Sequence, residues 1–171
     1  IINVAQNIVL GDAEIGLGGG VEVMSAGGYL STAMRSGARM GDTAMVDMMV
    51  AVLTDPFGAG HMGMTAENQA AKWGISREEQ DALALESQVR AARAISEGRF
   101  QSQIVPITLK TRKGEVIFDT DEHPKATSLE ALAKMKPAFK KDGGTVTAGN
   151  ASGINDGAAF LVLADAAVAA R

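Results

Sequence analysis

Cysteine is absent from all 171 residues. That excludes disulfide staples, a thiolate nucleophile and any metal held through sulfur. Histidine is nearly as scarce, with His61 and His123 the two examples. Two imidazoles without a thiolate are too few ligands for a structural zinc. Aromatic residues make up 4% of the chain, so a core here must be built from Ala, Val, Leu, Ile and Met. No apolar run approaches the roughly 20 residues of a membrane-spanning helix, and no basic start followed by an apolar middle marks a secretory leader. A cytoplasmic location is expected, with no membrane partner. Positive charge is also in deficit: 16 Lys and Arg against 20 Asp and Glu leave a net charge of −4. That sign argues against a nucleic-acid partner.

What is present fits one domain or one and a half. The chain opens on Ile1, within what reads as a helix, and closes on ADAAVAAR, inside another helical pattern. It is expected to be a piece of a longer protein; a compact domain with trimmed tails is the alternative. Apolar residues at helical spacing run from Ile1 to Leu10, with Gly11 as the stop. Ala13 to Met24 reads as a buried strand, in which Gly18, Gly19 and Gly20 suggest close backbone approach or unusual dihedrals. From Tyr29 to Phe57 the chain is methionine-rich, with Met34, Met40, Met45, Met48 and Met49. Methionine fills irregular gaps and adapts to partner surfaces, so plain packing and a subunit contact both remain open. VDMMVAVL within that segment is a short helix candidate ending near Pro56.

The middle of the chain is helical. A helix from Met64 to Trp73 is predicted, with Thr65 as its N-cap and Gly74 just past its end. Ser76-Arg77-Glu78-Glu79 is a capping box that opens a long helix to about Glu97. Ala82, Leu85, Val89, Ala92 and Ile95 form its apolar stripe. Ile104–Leu109 and Glu115–Asp119 flank Lys113-Gly114 and predict a β-hairpin. Ser128 to Met135 is a short helix stopped by Pro137, and Ala158 to Leu163 is a buried strand before a possible cap at Asp165. Two core-type strands near the chain ends therefore bracket a long, mostly helical excursion. Two strands do not make a stable sheet alone, so their apolar faces need cover.

Charge is distributed unevenly. Residues 110–141 hold eight of the 16 Lys and Arg (Lys110, Arg112, Lys113, Lys125, Lys134, Lys136, Lys140 and Lys141) against five acids, a net +3 that leaves −7 for the rest. A positive patch in an acidic chain suits a phosphorylated small ligand, and it also suits a solvated surface. Sharper motifs fail. GLGGGV from Gly16 places Val21 where a dinucleotide fingerprint needs glycine. GNASG from Gly149 places Asn150 where a nucleophile elbow needs glycine. No phosphate-loop lysine motif occurs, and nothing local supports a hydrolase built on Ser152 and His61.

Ordered blocks nevertheless carry a resemblance. They are GDAEIGLGGGVEVMS, ARMGDTAMVDMM, GHMGMTAENQAAKWGISREEQDALALESQ from Gly60, EGRFQSQIVPI from Glu97, and FDTDEHPKATSLEALAKMKPAFKKDGGTVTAGNASGINDGAA from Phe118. Collinear over essentially the whole chain, they resemble the thiolases, the acetyl-CoA acetyltransferase family. The HMG at His61 resembles the short-chain, biosynthetic type. The resemblance implies an α/β fold of two similar halves, each with a five-stranded mixed sheet, stacked in five layers. A loop domain inserted in the N-terminal half covers the coenzyme. This chain resembles the end of that half: residues 1–27 as core remnant, 28–147 as a mostly helical loop domain with a small β-hairpin, and 148–171 as the return to the core.

The resemblance also implies chemistry. Thiolases form or cleave 3-ketoacyl-CoA with a nucleophilic cysteine, an activating histidine and a second, acid–base cysteine. None has a counterpart here, so no catalytic residue is carried over and the chain alone is expected to be inactive. No prosthetic group is implied; coenzyme A and acyl-CoA are substrates. Binding positions do carry over. His61 and Met62 match residues along the pantetheine arm, Ser152 matches a serine that bonds a pantetheine amide, and Ala148 and Ile154 line the same slot. Ser128, Met135 and Phe139 match positions around the nucleotide and the arm. Lys125 stands near a position where many members stack an arginine on adenine, a role for which lysine lacks the planar surface. The implied partners are acyl-CoA and either a second copy, as dimer or tetramer, or the remaining thiolase segments. The alternative reading is a non-enzymatic assembly module, since the methionine-rich 29–57 segment resembles the part that joins thiolase dimers.

Overall fold

The structure is a computed structural model that describes residues 1–171. It is a mixed α/β chain that divides into two units, Ile1–Met49 with Ile154–Arg171, and Val50–Gly153. No helix is long and apolar enough to cross a membrane.

The first unit is a two-stranded ribbon flanked by helix. Helix α1 (Ile2–Leu10) stops at Gly11, whose φ of 81° is the left-handed turn that glycine adopts without strain. Strands β1 (Ile15–Val23) and β8 (Asp156–Ala164) pair antiparallel, from Ile15 opposite Ala164 to Val23 opposite Asp156. The glycine-rich run in β1 answers to close approach. A Cβ on Gly16 would overlap Val4 of α1, and one on Gly19 would strike Phe160 and the Ala159 carbonyl. Gly20 has open space instead. Short strands β2 (Tyr29–Leu30) and β3 (Val46–Asp47) also pair. Asp165 accepts from the Ala167 N–H at 2.8 Å and so caps α6 (Ala166–Ala169), as its position suggests. Asp156 grips Ser25 through its backbone N–H at 2.8 Å and its hydroxyl at 2.5 Å, and these bonds hold the Asp156 carboxyl below the usual range.

No apolar side chain of this unit is buried. Leu17, Val21, Phe160 and Val162 are all exposed, the last at 74%. A two-stranded ribbon has two faces and two open edges, and one short helix covers little of either.

The second unit carries the whole buried apolar core: Ala70, Ala94, Leu132 and Val146. Strands β4 (Thr54–Asp55) and β5 (Gly60–His61) pair after α2 (Met48–Val52). Helix α3 (Met62–Trp73) begins earlier than the sequence suggests. His61, not Thr65, is its cap, because the His61 ring nitrogen accepts from the Gly63 N–H. The Ser76 capping box forms with both its bonds and opens α4 (Arg77–Ser96). Its apolar stripe is not core. Leu85, Val89, Ala92 and Ile95 line an open groove of about 460 Å³ against Pro124–Thr127, while Asp81 and Ala94 are the residues α4 buries. The hairpin is β6 (Ile107–Thr111) with β7 (Gly114–Phe118), and α5 is Leu129–Ala133 with Ser128 as its cap.

Candidate functional site

The site is best built from residues 145–153, because this loop is held from below by two buried carboxylates. Glu67, on α3, is 5% exposed. It accepts from the Thr145 N–H at 2.9 Å, the Thr145 hydroxyl at 3.0 Å and the Val146 N–H at 2.9 Å. Burial pushes its carboxyl up. The Val146 and Thr145 bonds and the field of Lys140 outweigh that, and the net position is below the usual range.

Asp81, on α4, is 4% exposed and takes the other end of the loop. Its Oδ1 accepts from Asn150 Nδ2 at 2.9 Å, and its Oδ2 accepts from Arg77 Nε at 2.8 Å. Asn150 Nδ2 also donates to the Thr145 carbonyl at 3.0 Å, while its Oδ1 accepts from the Thr147 N–H at 2.7 Å. Gly149 lies where a Cβ would overlap Leu132 and approach the Met135 sulfur to 2.6 Å, so the loop backbone lies directly on α5 and its C-terminal extension. The turn is tied at its start by Glu67, at Asn150 by Asp81, and internally between Asn150 and both Thr145 and Thr147.

Above this base, Gly149, Asn150, Ala151 and Ser152 form one wall of a groove of about 400 Å³. The other walls are Leu83, Ala84 and Ser87 of α4, with His123 and Pro124. Gln88 Oε1 accepts the Lys125 N–H at 3.0 Å and pins the crossing of this segment over α4. Lys125 itself is exposed beside the groove.

The other sequence-derived positions fall into two groups. His61 and Phe139 meet as a stacked pair with ring centroids 4.8 Å apart. A Cβ on Gly63 would enter the Phe139 ring, so the stack requires glycine there. His61 Nδ1 accepts from Gly63, which places the proton of the neutral ring on Nε2 and leaves that edge as a donor. Met62 is 60% exposed at the first turn of α3. Ser128 and Met135 bracket α5. The Ser128 hydroxyl accepts from the Ala131 N–H at 3.2 Å and bonds Glu130, which holds the Glu130 carboxyl below the usual range. Ala148 is exposed on the pinned loop, and Ile154 is exposed in the first unit.

The structure thus joins His61 with Phe139, sets Met135 against Gly149, and puts Ser152 on the groove wall. His61, Met62 and Phe139 do not line that groove. Sequence reasoning missed Glu67, Arg77 and Asp81 as the supports. Nothing in MTAENQAAKW marks its acid as buried, whereas Asn150 in a glycine-flanked turn is a detectable signal. No group of three or more His, Asp or Glu comes together as a metal site.

Comparison with known proteins gives the lineage. The family described as thiolase, N-terminal domain, matches residues 1–167. A beta-ketothiolase of Cupriavidus necator is 53% identical over 172 residues, a match that spans 100% of this chain and 44% of that protein. An acetyl-CoA acetyltransferase of Pseudomonas aeruginosa is 55% identical across 96% of this chain and 42% of its own length. The solved acetyl-CoA acetyltransferase of Syntrophomonas wolfei superposes with a TM-score of 0.89 at 50% identity, over 99% of this chain and 43% of that one. Human mitochondrial 3-ketoacyl-CoA thiolase gives 0.90 at 44% identity, with the same shares covered. The chain spans well under half the length of these relatives. With its own fold reproduced in those structures and its sequence matched almost end to end, this chain belongs to the thiolase family, through its N-terminal domain.

Proposed function

We propose that this chain supplies the coenzyme-contacting part of a thiolase acyltransferase that forms or cleaves a 3-ketoacyl-CoA. The carrying observation is the pinned 145–153 loop, which presents Ser152 and small residues on one wall of a groove. A long amide-bearing arm needs such a surface: little side-chain bulk, a hydroxyl and backbone groups at fixed positions. Ser152 serves the arm within the groove, and His61, Met62, Phe139, Ala148 and Ile154, which lie outside its lining, serve other parts of the arm in this reading. Ser128, Met135 and Lys125 serve the nucleotide end, and the lysines of 110–141 serve its phosphates. Residues 28–147 act as the inserted loop domain. With no thiol in the chain, no covalent acyl intermediate forms by the cysteine route.

Calorimetric titration with CoA tests this. Saturable binding is expected, with Kd raised roughly 3- to 10-fold by Ser152→Ala, the loss of one hydrogen bond. Wild-type protein that shows no CoA binding overturns the reading. Turnover of acetoacetyl-CoA by the purified chain at an enzyme-like rate overturns the inactivity that goes with it.

A second reading, assembly, has its own observation. The accessible surface is 13733 Å². Even two separately compact units of these lengths would expose roughly 9,500 Å². The excess of roughly 4,000 Å² on one chain is more than a partner's share of most obligate interfaces, whose roughly 2,000–5,000 Å² or more counts both sides, and it includes the bare β1–β8 ribbon. Light scattering is expected to show association that grows with concentration. A clean monomer throughout counts against this reading.

A further inference from the structure

One ion pair links the two halves of the candidate site. Arg77 and Asp81 stand one turn apart on α4, joined at 2.8 Å. Arg77 Nη2 donates to the Leu132 carbonyl at 2.5 Å and the Met135 carbonyl at 3.1 Å. Those carbonyls belong to α5 and its extension, between Ser128 and Phe139. Asp81 Oδ1 meanwhile holds Asn150, whose amide closes the turn carrying Ala148 and Ser152. A continuous run of bonds therefore connects the Met135 carbonyl to the Thr147 N–H through Arg77 and Asp81, on a single helix turn, and the Asn150 amide. Every buried side-chain nitrogen and oxygen in the chain has a partner, and a satisfied polar network of this kind specifies one geometry. Largely buried ion pairs such as this one add little stability over well-packed apolar residues of the same volume, and the role best attested for them is to set register.

We propose that Arg77 and Asp81 are positioning residues that fix the separation between the Ser128–Met135 segment and the Ala148–Ser152 loop, and so allow one coenzyme molecule to engage both at once. The proposal rests on the coenzyme reading above. Neither residue touches the ligand. Each acts through another group: Arg77 through two carbonyls, Asp81 through Asn150. The guanidinium fork is what lets one side chain reach the carboxylate and both carbonyls, and a lysine ammonium cannot reproduce that geometry. A rigid separation raises affinity only for a ligand long enough to occupy both segments, because it sets the effective concentration of the second contact after the first.

The test compares three probes by calorimetry: intact CoA, pantetheine, and adenosine 3′,5′-bisphosphate. In Arg77→Lys and in Asp81→Asn, the Kd of intact CoA is expected to rise about tenfold while that of each half moves less than about twofold, a loss confined to the linkage between them. The exposed Glu86–Arg90 pair of the same helix is the control, and Arg90→Gln is expected to move none of the three. Parallel weakening of all three probes in the Arg77 and Asp81 variants means local structural damage and overturns the proposal, as does no change in any. Loss of the helical circular-dichroism signal in both variants assigns the pair to folding and also overturns it. Wild-type protein that binds no CoA sinks the coenzyme reading itself, before any variant is compared.

Discussion

Leu132→Ala is expected to cost about 3 kcal/mol, a large share of the roughly 5–15 kcal/mol that holds a unit of this size together. Leu132 is 1% exposed and is the largest fully buried apolar side chain. The other buried apolar side chains of the unit, Ala70, Ala94 and Val146, are all smaller than Leu132, so its truncation removes the largest share of the core. Gly149 rests on the same side chain, and the ligand loop loses its floor with it. Denaturant unfolding followed by circular dichroism reads the loss. The same experiment with Leu83→Ala supplies the contrast, because Leu83 is 73% exposed and its truncation is expected to change stability by less than about 0.5 kcal/mol. Equal effects at the two sites would mean that Leu132 is not the centre of the core.

Glu67→Gln is expected to cost about 2–3 kcal/mol near neutral pH. The carboxylate accepts two backbone N–H groups and a hydroxyl. A glutamine keeps one acceptor oxygen and turns an NH₂ toward those donors. The pH dependence follows from the direction of the shift. The folded-state carboxyl lies below its usual position, so the unfolded chain binds the proton more readily. Stability from Glu67 is fully present above the unfolded-state pKa of about 4.3 and is lost as pH falls through the lower folded value. The gap in unfolding free energy between wild type and variant should therefore be constant from about pH 7 to 5 and shrink on further acidification. Asp156 and Glu130 are shifted the same way but are present in both proteins and cancel in the difference. A gap that stays constant down to pH 3 would remove Glu67 from this role.

Local order is where sequence and structure agree most closely. The Ser76 capping box, the Gly11 and Gly74 stops and the cap at Asp165 all form. Each depends on residues within a few positions of one another, so the chain chemistry alone decides it. The exceptions are instructive. Thr65 has the right side chain for a cap, but Phe139, from a distant part of the chain, packs on His61 and over Gly63, and the helix starts at Met62. The α4 stripe has the right spacing for a core face. Spacing says which side of a helix is apolar, not what arrives to cover it, and here Pro124–Thr127 leave an open groove.

The candidate site was legible to the same degree. Ser152 and Asn150 stand out in the sequence because a short glycine-flanked turn before a strand is a local pattern. Their supports do not stand out, since Glu67 and Asp81 lie 78 and 69 residues from the groups they hold.

The order of the longer helices and strands, the absence of a thiol and membership in the thiolase family were readable before any fold was known, because each is written in neighbouring residues or in their linear order. The two-residue strands β2 to β5, one of them at Val46–Asp47 where a helix was expected, were not. Tertiary structure alone decided which charges became buried and which apolar faces stayed bare. Burial is a property of what packs against a residue, and contacts between remote segments exist only after the backbone has folded.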